Sequence, residues 1–181
     1  MPNLTPRRAD TFQMKVLYLL RHAKSDWGDA EVPDRERPLA PRGVRATKDL
    51  ARRLRNAHVA PIVVLCSTAL RARQTLELLA PALGAQVEVS YEDELYGATV
   101  AGVLERLRRV SAAVPSVMVV GHNPTIQDLT LELAGSGDDL ASVRLKFPTA
   151  ALAILEFDRK RWERLDRGGA ELAGFLVPTA R

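Results

Sequence analysis

The hydrophobic positions of this chain fall into short unbroken runs separated by stretches of helical periodicity. KVLYLL (residues 15–20) has no polar alternation, so its length and flanks predict a strand buried on both faces. IVVLC (62–66), SVMVVG (116–121) and ALAILEF (151–157) share that character and predict three more central strands, with a shorter one around 87–89. Between them, Val44, Leu50, Ala51 and Leu54 mark one face of a helix over 43–57. A second helix is predicted over 69–79, ended by Pro81 and Gly84. Val100, Val103, Leu104 and Leu107 follow the i, i+3, i+4, i+7 stripe. Pro124 stands where a further helix begins, carrying Ile126, Leu129, Thr130 and Leu133 as far as Gly135. Pro33, Pro38, Pro41 and Gly28 force a loop over 23–41, and an irregular basic tail is expected after residue 157. Strands alternating with helices predict a three-layer α/β/α fold with a mostly parallel central sheet.

Composition narrows this picture. At 181 residues, 46% of them hydrophobic, the chain suits one domain over 14–181 behind a flexible tail at 1–13. No apolar run approaches the ~18 residues of a membrane helix, and the run nearest the N-terminus is too short for a signal peptide. Neither a membrane partner nor export is therefore expected. A single cysteine, Cys66, cannot form an internal disulfide, which fits a reducing cytoplasm. The net charge of +4 invites a nucleic-acid partner. However, the densest basic stretch, 42–55, lies on the first helix, where a solvated face explains it. With aromatics at 5%, few stacking platforms exist, and no nucleic-acid partner is expected.

The chemistry gathers at strand ends. Of the three histidines, His22 and His122 each directly follow an apolar run, and a third run ends at Ser67 with Arg71 and Arg73 close behind. Ligands of parallel α/β sheets bind beyond the carboxyl ends of the strands. Arg21, His22, Arg71 and His122 are thereby aimed at one rim. Guanidinium forks hold phosphate oxygens in pairs and keep their charge at any working pH, so the set describes an anion site containing a nucleophile.

These residues resemble the histidine phosphatase superfamily, with its phosphoglycerate mutase-like fold. LRHAKSDW is similar to the first signature, CSTALRARQT to the second and VGHNP to the third, in the same order and strand placement. Together with DRERPLAPRG, ELYGA and GHNPTIQDL they look most like the small bacterial phosphohistidine phosphatase branch. The resemblance implies a phosphatase that needs neither metal nor cofactor. His22 would take the phosphoryl group, Arg21 and Arg71 would clamp it, His122 would be a further phosphate ligand, and Ser25 would remain available to substrate. Arg71 rather than Arg73 matches the motif, and the two side chains point to different helix faces. Gly28 stands where many relatives carry an asparagine. No unique carboxylate aligns with the general acid of the mutases; Asp93, Glu94 and Asp26 are candidates, with Asp34 in the same loop as Asp26. A missing acid suits a P–N bond, because a histidine leaving group departs when its own ring is protonated, whereas an alkoxide needs a proton from the enzyme.

The partner implied is a phosphohistidine-bearing protein or a small phosphorylated compound. A broad phosphomonoesterase or mutase, or a non-catalytic phosphate-binding module, are the alternatives, and the oligomeric state is left open. A cysteine phosphatase is disfavoured because Cys66 and Arg71 have four intervening residues rather than five, and a cysteine ending a buried strand is usually inert. No histidine or cysteine spacing matches a metal site. His58 reads as a surface residue, and packing is the expected fate of Trp27 and Trp162.

Overall fold

A computed structural model of the protein describes residues 14–158 and 161–179. The flexible tail expected over 1–13 lies outside the described residues. Among the described residues, seven strands form one sheet: β1 (Lys15–Arg21), β2 (Val63–Ser67), β3 (Glu88–Glu92), β4 (Ser116–Gly121), β5 (Ala134–Ser136), β6 (Leu152–Phe157) and β7 (Ala170–Leu176). Their order is β3-β2-β4-β1-β6-β7-β5. From β3 to β1 every pairing is parallel; β6 pairs antiparallel with both β1 and β7, and β5 adds a parallel edge. The sheet is thus mostly parallel, as the alternation of elements predicts.

Five α-helices of the described residues cover it: α1 (Pro41–Asn56), α2 (Leu70–Leu83), α3 (Val100–Arg108), α4 (Thr125–Leu133) and α5 (Leu140–Leu145). Unbroken apolar strands follow from this layering, because successive side chains point to opposite faces and both faces are covered. Leu17 and Leu19 of β1 pack with Leu104 and Leu107 of α3 and Leu129 and Leu133 of α4. Tyr18 and Leu20 turn the other way, to Leu50 and Leu54 of α1 and Leu76 and Leu79 of α2. Truncating one such fully buried leucine to alanine costs ~2–5 kcal/mol.

Several local features depart from the sequence pattern. Helix α2 runs through Pro81 and stops at Gly84, whose φ of +98° suits glycine. The proline stands so close to the end that only one ladder bond is forfeited, and buried Leu83 keeps the last turn seated. The stretch expected to be an irregular tail instead supplies β7, where Leu172 packs into the core and the exposed residues alternate with it. Residues 140–145 form α5, too short for helical periodicity to show, and β5 has three residues. Trp162 is fully buried and donates from its indole to the Val114 carbonyl, 2.8 Å away. Lys15 is buried beside it, with Nζ satisfied by the Ala112 and Val114 carbonyls.

The loop between β1 and α1 is pinned rather than free. Ala40 N–H donates to the Lys24 carbonyl at 2.9 Å, and Ser25 bridges to Leu39. Gly43 allows that approach, since a Cβ there would sit 2.2 Å from the Lys24 oxygen. The start of α1 is in this way held against the residues that follow His22.

Candidate active site

Strands β1, β2 and β4 are parallel neighbours, so their carboxyl ends emerge together. His22 and His122 follow β1 and β4, and their ring centroids lie 4.9 Å apart. Arg71, buried in the first turn of α2, donates from Nε to His22 Nε2 at 3.3 Å. Arg21 closes the other side. Its Nη1 donates to the Phe147 carbonyl at 2.7 Å, while its buried Nε has no hydrogen-bond partner. The four residues that the strand-end argument selects therefore converge at one rim.

The second ring nitrogen of His22 fixes its protonation. Nδ1 lies 2.7 Å from the Ala23 carbonyl oxygen, which can only accept, so Nδ1 carries the hydrogen and Nε2 keeps its lone pair. Burial pushes the His22 pKa down to about 3 despite that carbonyl, and the charges of His122, Arg71 and Arg21 push in the same direction. His122 is lowered to about 4 by burial and by Arg71 and Arg21, with Asp34 opposing. Its Nε2 is 2.8 Å from the Ser67 hydroxyl. At neutral pH both rings are uncharged beside two guanidinium groups. The backbone of this corner is also held: Ala23 N–H donates to the Thr75 hydroxyl at 3.0 Å, and that hydroxyl donates to the Arg71 carbonyl.

The carboxylates sort clearly. Asp34 Oδ2 accepts from Arg71 Nη2 at 2.9 Å and from the Tyr96 hydroxyl at 2.8 Å. Partial burial raises its pKa, but the bonds from Tyr96 and Arg71 and the charges of Arg71 and Arg37 outweigh this and hold it below the usual range. Asp93 accepts from the Thr68 hydroxyl at 2.6 Å and pairs with Arg35, both of which lower its pKa. Glu94 is exposed and 3.9 Å from Arg109. Asp26 accepts from the Gly28 amide at 2.9 Å in its own turn. None of Asp26, Asp93 and Glu94 shares a hydrogen bond with either site histidine. Ser25 is buried, with its hydroxyl accepting from the Trp27 indole at 3.1 Å.

Two further site residues had no role in the sequence argument. Tyr96 presents its ring edge-on to His122 at 5.6 Å, besides bonding Asp34. Ser67 was visible only as the end of an apolar run. The ELYGA segment was the available signal for Tyr96. An apolar cavity of about 450 Å³, walled by Leu95, Val100, Val103 and Ile126, opens beside His122.

The remaining sequence candidates lie elsewhere. Arg73 is exposed, 5.6 Å over the Tyr91 ring. Cys66 is fully buried, and burial pushes its thiol up to about 12, far from a usable thiolate. His58 is exposed in the turn after α1, and Trp27 is exposed under the Arg37 guanidinium. Among the described residues, no group of three or more histidine, cysteine, aspartate or glutamate side chains is placed to hold a metal ion. Nor is any described helix long and apolar enough to cross a membrane.

Comparison with known proteins agrees with this geometry. Residues 17–96 match the family model of the histidine phosphatase superfamily (branch 1). An uncharacterized protein of Mycobacterium tuberculosis is 42% identical over 163 residues, covering 88% of this chain and 99% of that protein. A solved structure assigned as phosphohistidine phosphatase SixA, from Nakamurella multipartitia, superposes with a TM-score of 0.81 at 36% identity, covering 92% of this chain and 98% of the other. The protein histidine phosphatase SixA complexed with tungstate superposes with a TM-score of 0.73 at 27% identity, over 90% of this chain and 97% of its own. By sequence and by fold, the chain belongs to the histidine phosphatase superfamily, in its SixA-like branch, and is a phosphatase.

Proposed function

We propose that the protein hydrolyses phosphohistidine, on a protein or as a small phosphorylated compound, by way of a phosphoryl group carried on His22. The observation that carries this reading is the hydrogen bond from His22 Nδ1–H to the Ala23 carbonyl at 2.7 Å, which leaves the Nε2 lone pair facing Arg71. In the first step Nε2 attacks phosphorus and the bond to the leaving group breaks. Arg21 and Arg71 stabilise the charge spread over the equatorial oxygens, and His122 contributes a further contact to the phosphoryl group. The Nδ1 proton stays on the ring throughout. Phospho-His22 is thereby kept in the form whose P–N bond breaks to release neutral imidazole, and water completes the hydrolysis in the second step.

The substrate class follows from the carboxylates. Asp34, the one hydrogen-bonded to the clamp, is held ionised by Tyr96 and Arg71 and accepts rather than donates at neutral pH. A phosphohistidine substrate brings its own proton on the distal ring nitrogen and leaves as neutral imidazole. An alkyl ester leaves as an alkoxide and lacks a donor here.

The test is brief incubation with radiolabelled phosphohistidine, an alkaline quench that preserves phosphohistidine, and peptide mass analysis. Label is expected on the peptide containing Arg21-His22-Ala23, and His22→Ala is expected to be folded and inactive. Label on Cys66 or Ser67, or ordinary turnover by folded His22→Ala, would overturn the assignment.

A further inference from the structure

A second cavity, of about 440 Å³, shares Arg21 with the active site and is walled by Lys24, Arg42 and Lys146, with Ala46, Pro148 and Thr149 completing it. Four cations face one space and no acidic residue lines it. Several cations outside this cavity are neutralised by carboxylates: Arg52 pairs with Asp49, Arg71 with Asp34 and Arg106 with Glu92. Among the described residues, the side chains of Lys24, Arg42 and Lys146 have neither a hydrogen bond nor an ion pair. The basic groove farther along α1 differs, since Asp49 lines it among the arginines.

The backbone adds to the imbalance. Arg42 stands in the first turn of α1, which has no acidic residue and no side-chain cap. A cation at that end opposes the helix dipole, and an anion would be favoured there by both. Lys24 is held in place because its carbonyl takes the Ala40 amide and packs on Gly43. Arg21 joins the two spaces: its charge acts on both His22 and His122, and its buried Nε has no partner. Mutual repulsion among four cations is a standing cost that bound negative charge would remove.

We propose that this cavity is a second anion subsite, which takes a carboxylate or phosphate carried by the substrate beside the phosphoryl group it transfers. The proposal rests on the assignment of phosphoryl transfer to His22. It names two sources of one chemistry: acidic side chains flanking a phosphohistidine, or a second phosphate on a small compound.

The test uses the full chain and a variant with Lys24→Gln, Arg42→Gln and Lys146→Gln, which spares Arg21. Phosphoramidate, which has no second anion, should be turned over equally by both proteins. Two phosphohistidine peptides, flanked by glutamates or by serines, and the pair 1,3-propanediol bisphosphate and propyl phosphate complete the panel, the last two as competitive ligands. Wild type should prefer the member bearing the second anion by on the order of tenfold, seen in KM or Ki, and the variant should lose that preference. Added salt should narrow the preference, since partly exposed charges are screened within ~10 Å at 0.1 M. A preference confined to the peptides assigns a carboxylate, and one confined to the bisphosphate assigns a second phosphate. No preference in wild type, or one that survives in the variant, overturns the subsite. If neither protein turns over phosphoramidate or the peptides, the phosphatase reading fails instead. Calorimetric binding of the bisphosphate to wild type and variant then decides the subsite separately.

Discussion

Arg71 and Arg73 are two residues apart on α2, carry the same charge and differ completely in placement. Arg71 is buried, with Nε 3.3 Å from His22 Nε2 and Nη2 2.9 Å from Asp34. Arg73 is exposed above the Tyr91 ring. If Arg71 clamps the phosphoryl oxygens, Arg71→Ala removes one fixed donor whose side chain is only 8% exposed. Removing a contact of that kind costs ~3–4 kcal/mol, or about 10²–10³ in rate. The stability cost should be small, because the Asp34 carboxylate left behind is 46% exposed and water replaces the lost pair, worth ~1 kcal/mol or less. Arg73→Ala removes a cation–π contact at an exposed site, ~0.5–1 kcal/mol of stability, and should leave the rate within about twofold. Arg71→Lys should fall between wild type and Arg71→Ala, since ammonium keeps the charge and loses the planar fork. The assay is kcat/KM with phosphohistidine and with phosphoramidate, alongside circular dichroism and denaturant melts. Equal, mild losses at the two positions in folded proteins would refute the clamp assignment.

Three further outcomes are expected. Burial lowers His22 to about 3 and His122 to about 4, so their imidazole NMR signals should not titrate between pH 8 and 5. Because the unfolded chain binds those protons from about pH 6.5 downward while the folded one does not, stability should fall as pH drops from 6.5 towards 4. A signal from either ring titrating near 6.5 would contradict the burial argument. Asp34→Asn should tighten inhibition by phosphate or vanadate several-fold, on the order of one surface-exposed charge contact, because the native carboxylate competes for Arg71; unchanged or weaker inhibition would show that Asp34 does not oppose the anion. Chelators should leave turnover intact, because the site offers arginines where a metallophosphatase has carboxylates; activity that disappears with EDTA and returns with a divalent ion would overturn that.

The buried half of the fold was legible in the sequence because hydrophobic burial writes itself locally. A strand covered on both faces is apolar at nearly every position, so β1, β2, β4 and β6 are visible as runs, and α3 as a stripe. Placing chemistry at the ends of those runs then selects Arg21, His22 and His122 without any contact information. Elements at the sheet edge left weaker marks. In β7 exposed Glu171 and Ala173 interrupt the pattern, and β5 and α5 are shorter than the periods that would reveal them.

What the chain order could not decide is which polar groups meet. Four carboxylates were equivalent in sequence, and packing alone brings Asp34 to Arg71 and Tyr96, residues 37 and 62 positions away. The unprotonated Nε2 of His22 likewise depends on the Ala23 carbonyl turning back to Nδ1, and the unpaired cations around Arg21 depend on the start of α1 docking on Lys24. Burial is a property that each residue type carries with it, so composition and period report it. Hydrogen-bond partnership, tautomer and charge balance are properties of pairs set by distance, and only the folded chain sets those distances.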